Sequence, residues 1–382
     1  MKKLILLLLI GALAPRSAAA VEGARWLLSA EGVQSAALGN AVAALQASPE
    51  QAWSNPAGIA GIDGVEASFS HLSFPGAWDS DHIVLAAPFH WKHHLALLYH
   101  RNAAEDTLRD ILGNESGNFE VSQSALMATY AYKAPDWRLG ASVKSLSEVI
   151  QSKSGAGLAY DLGLQADLVR DRVIVGAALQ NLGSVPDLGG PTIEAPLLVR
   201  SGADLRFRGD VSTLDLLVDY RYRPVSLRSG VSLGVEYSER YLDGRLALRA
   251  GYDSSQSDQG NGAGFALGAG FGYGPVGLDY AWTPHGDLGS QHRVALTLLW
   301  NLRARARSEA LEQSLGPVSA KPDVKVAQPA ASRAKGYVEN HAGERLDDLL
   351  NATPEPTPIT TPLPLVAESR PPATGILGFF AR

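Results

Sequence analysis

The histidines His90, His93 and His94 are the densest group of metal-capable side chains in the sequence. His90 and His94 have the i, i+4 spacing that, on a helix, would offer two imidazoles to one ion. No carboxylate or cysteine is adjacent to complete a shell, and the run reads as a turn between strands. No metal is therefore expected. A second group is charged residues at alternate positions of extended segments: Asp204, Arg206, Asp215, Asp219, Arg221, Glu236, Arg245, Arg249, Asp279 and Arg293. Both signs are mixed. They form either a wall that pairs with itself or a wall that sets the selectivity of a wet passage. Gly260 to Gly274 is glycine-rich but lies on a strand pattern, which argues against a phosphate loop. The sequence lacks an HExxH motif, and neither an enzyme nor a cofactor is expected.

Composition narrows the classes further. The chain has 382 residues, 46% hydrophobic but only 19% charged, with 39 glycines and no cysteine. Zero cysteine removes disulfides, thiolate metal sites and cysteine nucleophiles together. A net charge of −6 argues against nucleic-acid binding. The first twenty residues read as a secretory signal peptide. Lys2 and Lys3 precede the apolar run Leu4 to Ala14, and Ala18-Ala19-Ala20 suits cleavage.

From residue 62 to 302 the side chains alternate with a period of two. Leu214, Leu216, Val218, Tyr220 and Tyr222 oppose Asp215, Asp219, Arg221 and Arg223; Val231, Leu233, Val235 and Tyr237 oppose Ser232, Gly234, Glu236 and Ser238. Three features favour a membrane barrel over a sandwich. Aromatics close many apolar faces (Tyr130, Tyr222, Tyr237, Tyr252, Tyr273, Trp282, Trp300), the opposite face is polar or small, and connections alternate between short and long. Short turns are expected at Ala134–Trp137, Val169–Arg172 and Arg208–Val211, and longer loops at Arg101–Asn118, Ile150–Gly155 and Gly183–Pro196. The fold class is all-β, a transmembrane antiparallel β-barrel of about 14 strands. The stretch from Gly64 to Tyr99 alternates poorly. So wide a lumen needs a plug, a charged lining or water. Both termini are expected on the periplasmic side of an outer membrane.

Residues 21–61 precede the barrel. Ala36 to Ala44 is small and apolar and leads to Ser48-Pro49, a helix start with Ser48 as cap. Asn55-Pro56 then stops the helix and opens a turn. The runs Ala37-Leu38-Gly39-Asn40-Ala41 and Ala52-Trp53-Ser54-Asn55-Pro56-Ala57-Gly58-Ile59-Ala60 resemble the N-terminal signature of the PorV/PorQ proteins, relatives of the FadL long-chain fatty-acid transporters. Asn40 stands where that family often has Met, Ile59 replaces Leu, and the acidic spacer is reduced to Glu50. The resemblance implies a fourteen-stranded barrel with residues 21–61 as a hatch, and Leu38, Gly39, Asn55, Pro56, Ala57 and Gly58 as its motif. It also implies an accessory role in type IX-like secretion or surface attachment, with secreted cargo or secretion components as partners. The alternative is a FadL-like channel for passive uptake of hydrophobic small molecules. Outer-membrane lipid is a partner in either case.

Residues 303–382 hold ten of the 22 prolines and no strand pattern. They read as a disordered, proline-rich periplasmic tail.

Overall fold

The computed structural model describes residues 21–300, except 30–31, 75–77, 91, 190–192, 242–243, 260–261 and 287–288. The expected signal peptide and tail lie outside the described residues. Fourteen strands close into one antiparallel barrel. They are β2 (Val65–Phe74), β3 (Trp78–His90), β4 (His93–Arg109), β5 (Glu115–Lys133), β6 (Trp137–Ile150), β7 (Lys153–Val169), β8 (Val173–Gly183), β10 (Leu198–Arg208), β11 (Ser212–Arg223), β12 (Arg228–Tyr241), β13 (Gly244–Asp253), β14 (Phe265–Tyr273), β15 (Val276–Pro284) and β16 (Ser290–Trp300). Consecutive strands pair, and β16 closes the cylinder on β2.

Alternation sorts the two faces. Along β12, Gly230, Ser232, Gly234, Glu236 and Ser238 are buried inward, while Val231, Leu233, Val235 and Tyr237 are exposed outward. Leu, Val, Phe and Tyr on the outer faces of the other strands make this an apolar belt. The expected strand-closing aromatics fall into two rings. Tyr222, Tyr252 and Trp282 lie at the long-loop end, and Tyr130, Tyr237, Tyr273 and Trp300 at the short-turn end.

Two expected loops are largely strand. Residues Arg101 to Arg109 continue β4, paired with β5 as far as Glu115, so the Arg101–Asn118 segment is mostly a projecting hairpin. Between Ile150 and Lys153 only two residues turn the chain, with Gln151 at φ 56°. Polar composition made both look like loops, but at the barrel end water replaces lipid and strands need no apolar face. The weak alternation before Tyr99 also has a cause. The inward residues Val84, Ala86, Ala96 and Leu98 pack against residues 21–62, so that wall is apolar on both faces.

The N-terminal segment fills the lumen. Strand β1 (Val21–Glu22) pairs in parallel with β9 (Ile193–Glu194), in the β8–β10 connection at the long-loop end. The described residues thus begin, at Val21, at the long-loop end of the barrel and finish, at Trp300, at the short-turn end; the expected placing of the termini concerns residues outside those described. A 3-10 turn (Arg25–Leu28), helix α1 (Val33–Ala37), helix α2 (Gln51–Ser54) and a 3-10 helix (Pro56–Gly61) follow. The expected Ser48 cap is not made: Glu50 occupies the N-cap of α2, without a side-chain hydrogen bond. Helix α1 lies on β13 to β16, and the Pro56–Gly61 helix on β4 to β7.

Glycines in the wall let the segment approach. A Cβ on Gly251 would stand 2.0 Å from the Gly39 nitrogen, and one on Gly176 1.9 Å from the Ala43 carbonyl oxygen. Neither site can relax by moving a flexible side chain, because the atoms met are backbone. Gly251→Val and Gly176→Val are therefore expected to unseat the segment and raise ion leak through the barrel in planar bilayers. Gly277→Ala, whose Cβ would meet only ordinary contacts at 3.6 Å, should leave the conductance at the wild-type level.

Candidate functional site: the plugged lumen and its vestibule

The plug has little regular structure; its turns and short helices pair many of its backbone groups with one another, and the rest, among them the Val42 and Ala43 N–H groups, have no partner within it. Wall side chains serve instead. Asp219 accepts hydrogen bonds from the Val42 and Ala43 N–H groups, both at 2.9 Å. Gln165 Nε2 donates to the carbonyls of Ala43 (3.1 Å) and Leu45 (2.8 Å), and Gln180 Nε2 to that of Trp53 (2.7 Å). His94 Nε2 donates to the Ile62 carbonyl at 3.0 Å. Arg200 spans Asn40, donating to its carbonyl (2.8 Å) and its side-chain oxygen (3.1 Å), and pairs with Asp219 at 3.1 Å. Asn40 sits in the left-handed region at φ 64°, where asparagine is tolerated better than most residues. That accounts for asparagine at position 40.

The motif residues come together. Asn55 accepts from the Ala57 N–H at 3.1 Å, capping the 3-10 helix that Pro56 opens. Its amide donates to the Ala43 carbonyl at 2.6 Å and to the Leu164 carbonyl of the wall at 3.3 Å. Leu38, Asn55, Pro56, Ala57 and Gly58 are all buried, and Gly39 takes φ 60° with its α-carbon against the Tyr252 backbone. Beside them Trp53 packs against His100 (5.2 Å between ring centroids) and His82 (6.2 Å), while Trp26 stacks on His100 at 5.6 Å. Lys144 Nζ lies 4.6 Å from the Trp53 ring centroid and 2.8 Å from Asp161, in a fully buried pair.

All ten expected lumen charges face inward, and most are engaged. Arg206 bridges Asp204 (2.6 Å) and Asp215 (2.8 Å). Glu236 takes Arg245, Arg249 and, from the plug, Gln34 at 2.8 Å; Arg249 also reaches Asp279. Arg221 pairs with Asp253. Arg293 is buried on β16. Asp219 and Glu236 thus hold the plug as well as the wall. Arg200, Asp253, Gln165, Gln180, Lys144 and Asp161 belong to the same system but lay outside the sequence-expected set. Their signal was an inward polar position on a strand, which a wet wall shares.

The other candidates separate from this system. His93 and His94 stand on opposite faces of β4, and no metal-binding group of three side chains exists among the described residues. Gly230-Val231-Ser232-Leu233-Gly234 has the spacing of a hydrolase elbow, yet it lies in mid-strand. Ser232 is flanked in register by Asp219 and Asp253 rather than by an imidazole.

Above the plug, at the long-loop end, a vestibule of about 550 Å³ is lined by Trp26, Leu72 and Trp78 and by a larger number of polar residues, among them Asn102, Gln123, Glu148, Arg221, Arg223 and Arg228. Below it, Ala41 to Leu45 and Ala52 to Ala60 are buried throughout. The plug thus floors the vestibule. Burial, reinforced by the negative charge of Asp279, pushes the Glu50 carboxyl up to about 7, against the Ser68 hydroxyl (3.1 Å), Arg293 and Arg249.

Two solved structures are similar in fold. The Pseudomonas putida toluene transporter TodX is matched at 11% identity and TM-score 0.54, over 75% of this chain and 100% of that one. The deltaS2 mutant of the TodX monoaromatic hydrocarbon channel is matched at 12% identity and TM-score 0.51, over 71% and 98%. No family model and no curated protein matches the sequence, so PorV/PorQ membership finds no support there.

Asn55→Ala removes one cap and two carbonyl contacts, and is expected to loosen the plug by about 1–3 kcal/mol, read as faster amide exchange over residues 41–60. Glu50 gives a pH dependence with a definite sign. The seated carboxyl, at about 7, holds its proton more tightly than the free one at 4.5. Its stabilising contribution is complete below about 4.5 and is lost as pH rises through about 7. Exchange over the plug, corrected for intrinsic rates, should accelerate across that interval. In Glu50→Gln the acceleration should vanish.

Proposed function

We propose that the chain is an outer-membrane diffusion channel for small hydrophobic molecules, with residues 21–61 as its hatch. The observation that carries this reading is a vestibule, open at the long-loop end and holding Trp26, Leu72 and Trp78 among polar residues, floored by a segment lodged on glycines of the barrel wall. A permanently open pore would not need that floor. A hydrophobic solute gains by leaving water for Trp26, Leu72 and Trp78. The paired charges of the lumen give it no comparable gain on the axial route. The solute therefore passes when the hatch bends, and leaves sideways into lipid. The likeness in fold to a toluene transporter agrees with this reading.

The orientation follows the general rule for such barrels, with short turns in the periplasm and longer loops outside. An accessory role in surface attachment of secreted proteins suits the structure less. Gripping a folded domain takes about 800 Å² per partner, and one of the outer connections, between β6 and β7, is a two-residue turn.

The test is uptake in a Gram-negative host that lacks hydrophobic-solute channels of its own. Expression of the chain should speed entry of labelled toluene or oleate and leave glucose entry unchanged. Equal acceleration of glucose would make it a general pore. Unchanged hydrophobic uptake, with surface proteins stranded in the periplasm of a native deletion strain, would favour the secretion role.

A further inference from the structure

The outer wall carries a hollow that the channel reading does not use. Ala131, Gly140, Gly163, Ala178 and Arg200 stand opposite one another in register across β5, β6, β7, β8 and β10. On the lumen side the hatch occupies the space that side chains at the two glycines would take. A Cβ on Gly140 would lie 2.3 Å from the Pro56 carbonyl carbon, and one on Gly163 2.1 Å from Asn55 Oδ1. The wall lies directly on the Asn55-Pro56 motif, and outside it is concave. The result is a cavity of about 410 Å³ on the lipid-facing side, lined chiefly by Tyr130, Leu139, Ala141, Leu162, Ala177 and Leu179. Arg200 reaches its edge, but its guanidinium is turned inward to Asn40 and Asp219.

The hollow is polar at one end only. At the short-turn side His93 Nδ1 and the Tyr130 hydroxyl are 2.8 Å apart. The His93 ring meets Tyr132 edge-on at 5.3 Å, and Tyr132 lies 5.6 Å from Trp137. Aromatic and amphipathic side chains of this kind mark the headgroup level of a bilayer. An apolar trough running from that level toward the belt suits a molecule with one polar end and a hydrocarbon tail. Its volume is in the range of small-molecule sites, about 300–1,000 Å³.

We propose that the hollow binds one acyl chain of a bilayer phospholipid, with its headgroup at the His93–Tyr130–Tyr132–Trp137 rim. The bound chain fills the outer side of a wall whose inner side seats the hatch, and so braces the contact of Gly140 and Gly163 with Asn55 and Pro56. A headless hydrocarbon would gain nothing from the rim. The proposal rests on the membrane reading above only in requiring that the outer face meet lipid.

The experiment uses the mature full-length chain in nanodiscs of phosphatidylethanolamine and phosphatidylglycerol, doped with phosphatidylethanolamine bearing a diazirine on one acyl chain. After irradiation, labelled peptides are mapped by mass spectrometry. Labelling of β6 to β8 should exceed that of outward residues on β12 and β13 by about fivefold, equivalent to about 1 kcal/mol of preference. Ala141→Phe/Ala177→Phe fills the trough from the lipid side without touching the hatch. It should bring labelling to the level of β12 and β13 while keeping the heat-modifiable gel shift of a folded barrel. If that variant fails to fold, Leu162→Trp serves the same purpose. Even labelling around the barrel, or a preference that survives the filling substitution, would overturn the proposal while leaving the channel reading intact. Equal labelling by a headless diazirine alkane would make the occupant a hydrocarbon and overturn it as well. Failure to enter nanodiscs at all would remove the membrane reading and this proposal together.

Discussion

The structure depends on satisfying an irregular backbone where water is largely excluded. A closed sheet of fourteen strands encloses more space than its own inward side chains fill. The segment that fills it has only short helices and turns, so the N–H and C=O groups these leave open must find partners on the wall. Leaving one of them unpaired in such a place costs about 1–3 kcal/mol. The wall therefore carries Asp219, Gln165, Gln180, His94 and Arg200 at the positions where plug backbone arrives. Elsewhere it carries glycine, because backbone against backbone leaves no room for a Cβ. Polar donors and glycines thus answer one demand in two ways.

This dual wall explains what could be read from the sequence. Outward faces repeat every second residue and meet one uniform solvent, so the apolar belt was legible from segments such as Leu214–Tyr222 and Val231–Tyr237, and a strand count of about 14 from their recurrence along the chain. Inward faces meet several environments. Where the wall meets the plug's aromatic side, Val84, Ala86, Ala96 and Leu98 face in, and the alternation fades although the strands are regular. Where it meets paired charges, alternation is strongest. A clean period of two therefore identified the part of the barrel farthest from the aromatic core of the hatch.

The site was legible in its local half. Asn55-Pro56 announces a stop and a turn whatever surrounds it, and Asn55 does cap the following helix. Its other partners, the carbonyls of Ala43 and Leu164, are far from it in sequence or supplied by the wall, and no spacing rule points to them. The same holds for Lys144 and Asp161, which are seventeen positions apart but adjacent across β6 and β7. Their long-range partner is Trp53, under the lysine ammonium. A polar residue at an inward position looks the same in sequence whether water, a counter-ion or a plug faces it.

The buried ion pairs bear on how the hatch could move. Arg206, Glu236 and Arg249 hold their partners within the wall, between neighbouring or nearby strands, so those bonds survive if the plug shifts. Asp219, by contrast, has two plug amides among its partners, and Glu236 adds Gln34 to two arginines. Departure of the plug would leave Asp219 with Arg200 and free space that water can enter, which replaces the lost bonds at modest cost. The hydrophobic contacts of Trp53 and Ile59 have no such substitute, and a fully buried side chain of this size contributes about 1.5–3 kcal/mol. The aromatic side of the plug, on β3 to β6, is therefore the firmer attachment. The segment from Leu38 to Leu45, held by exchangeable hydrogen bonds to Gln165, Arg200 and Asp219 and by a smaller apolar cluster with Leu217, is the part that can let go first. A hatch fixed at one side and releasable at the other opens a passage without leaving the barrel.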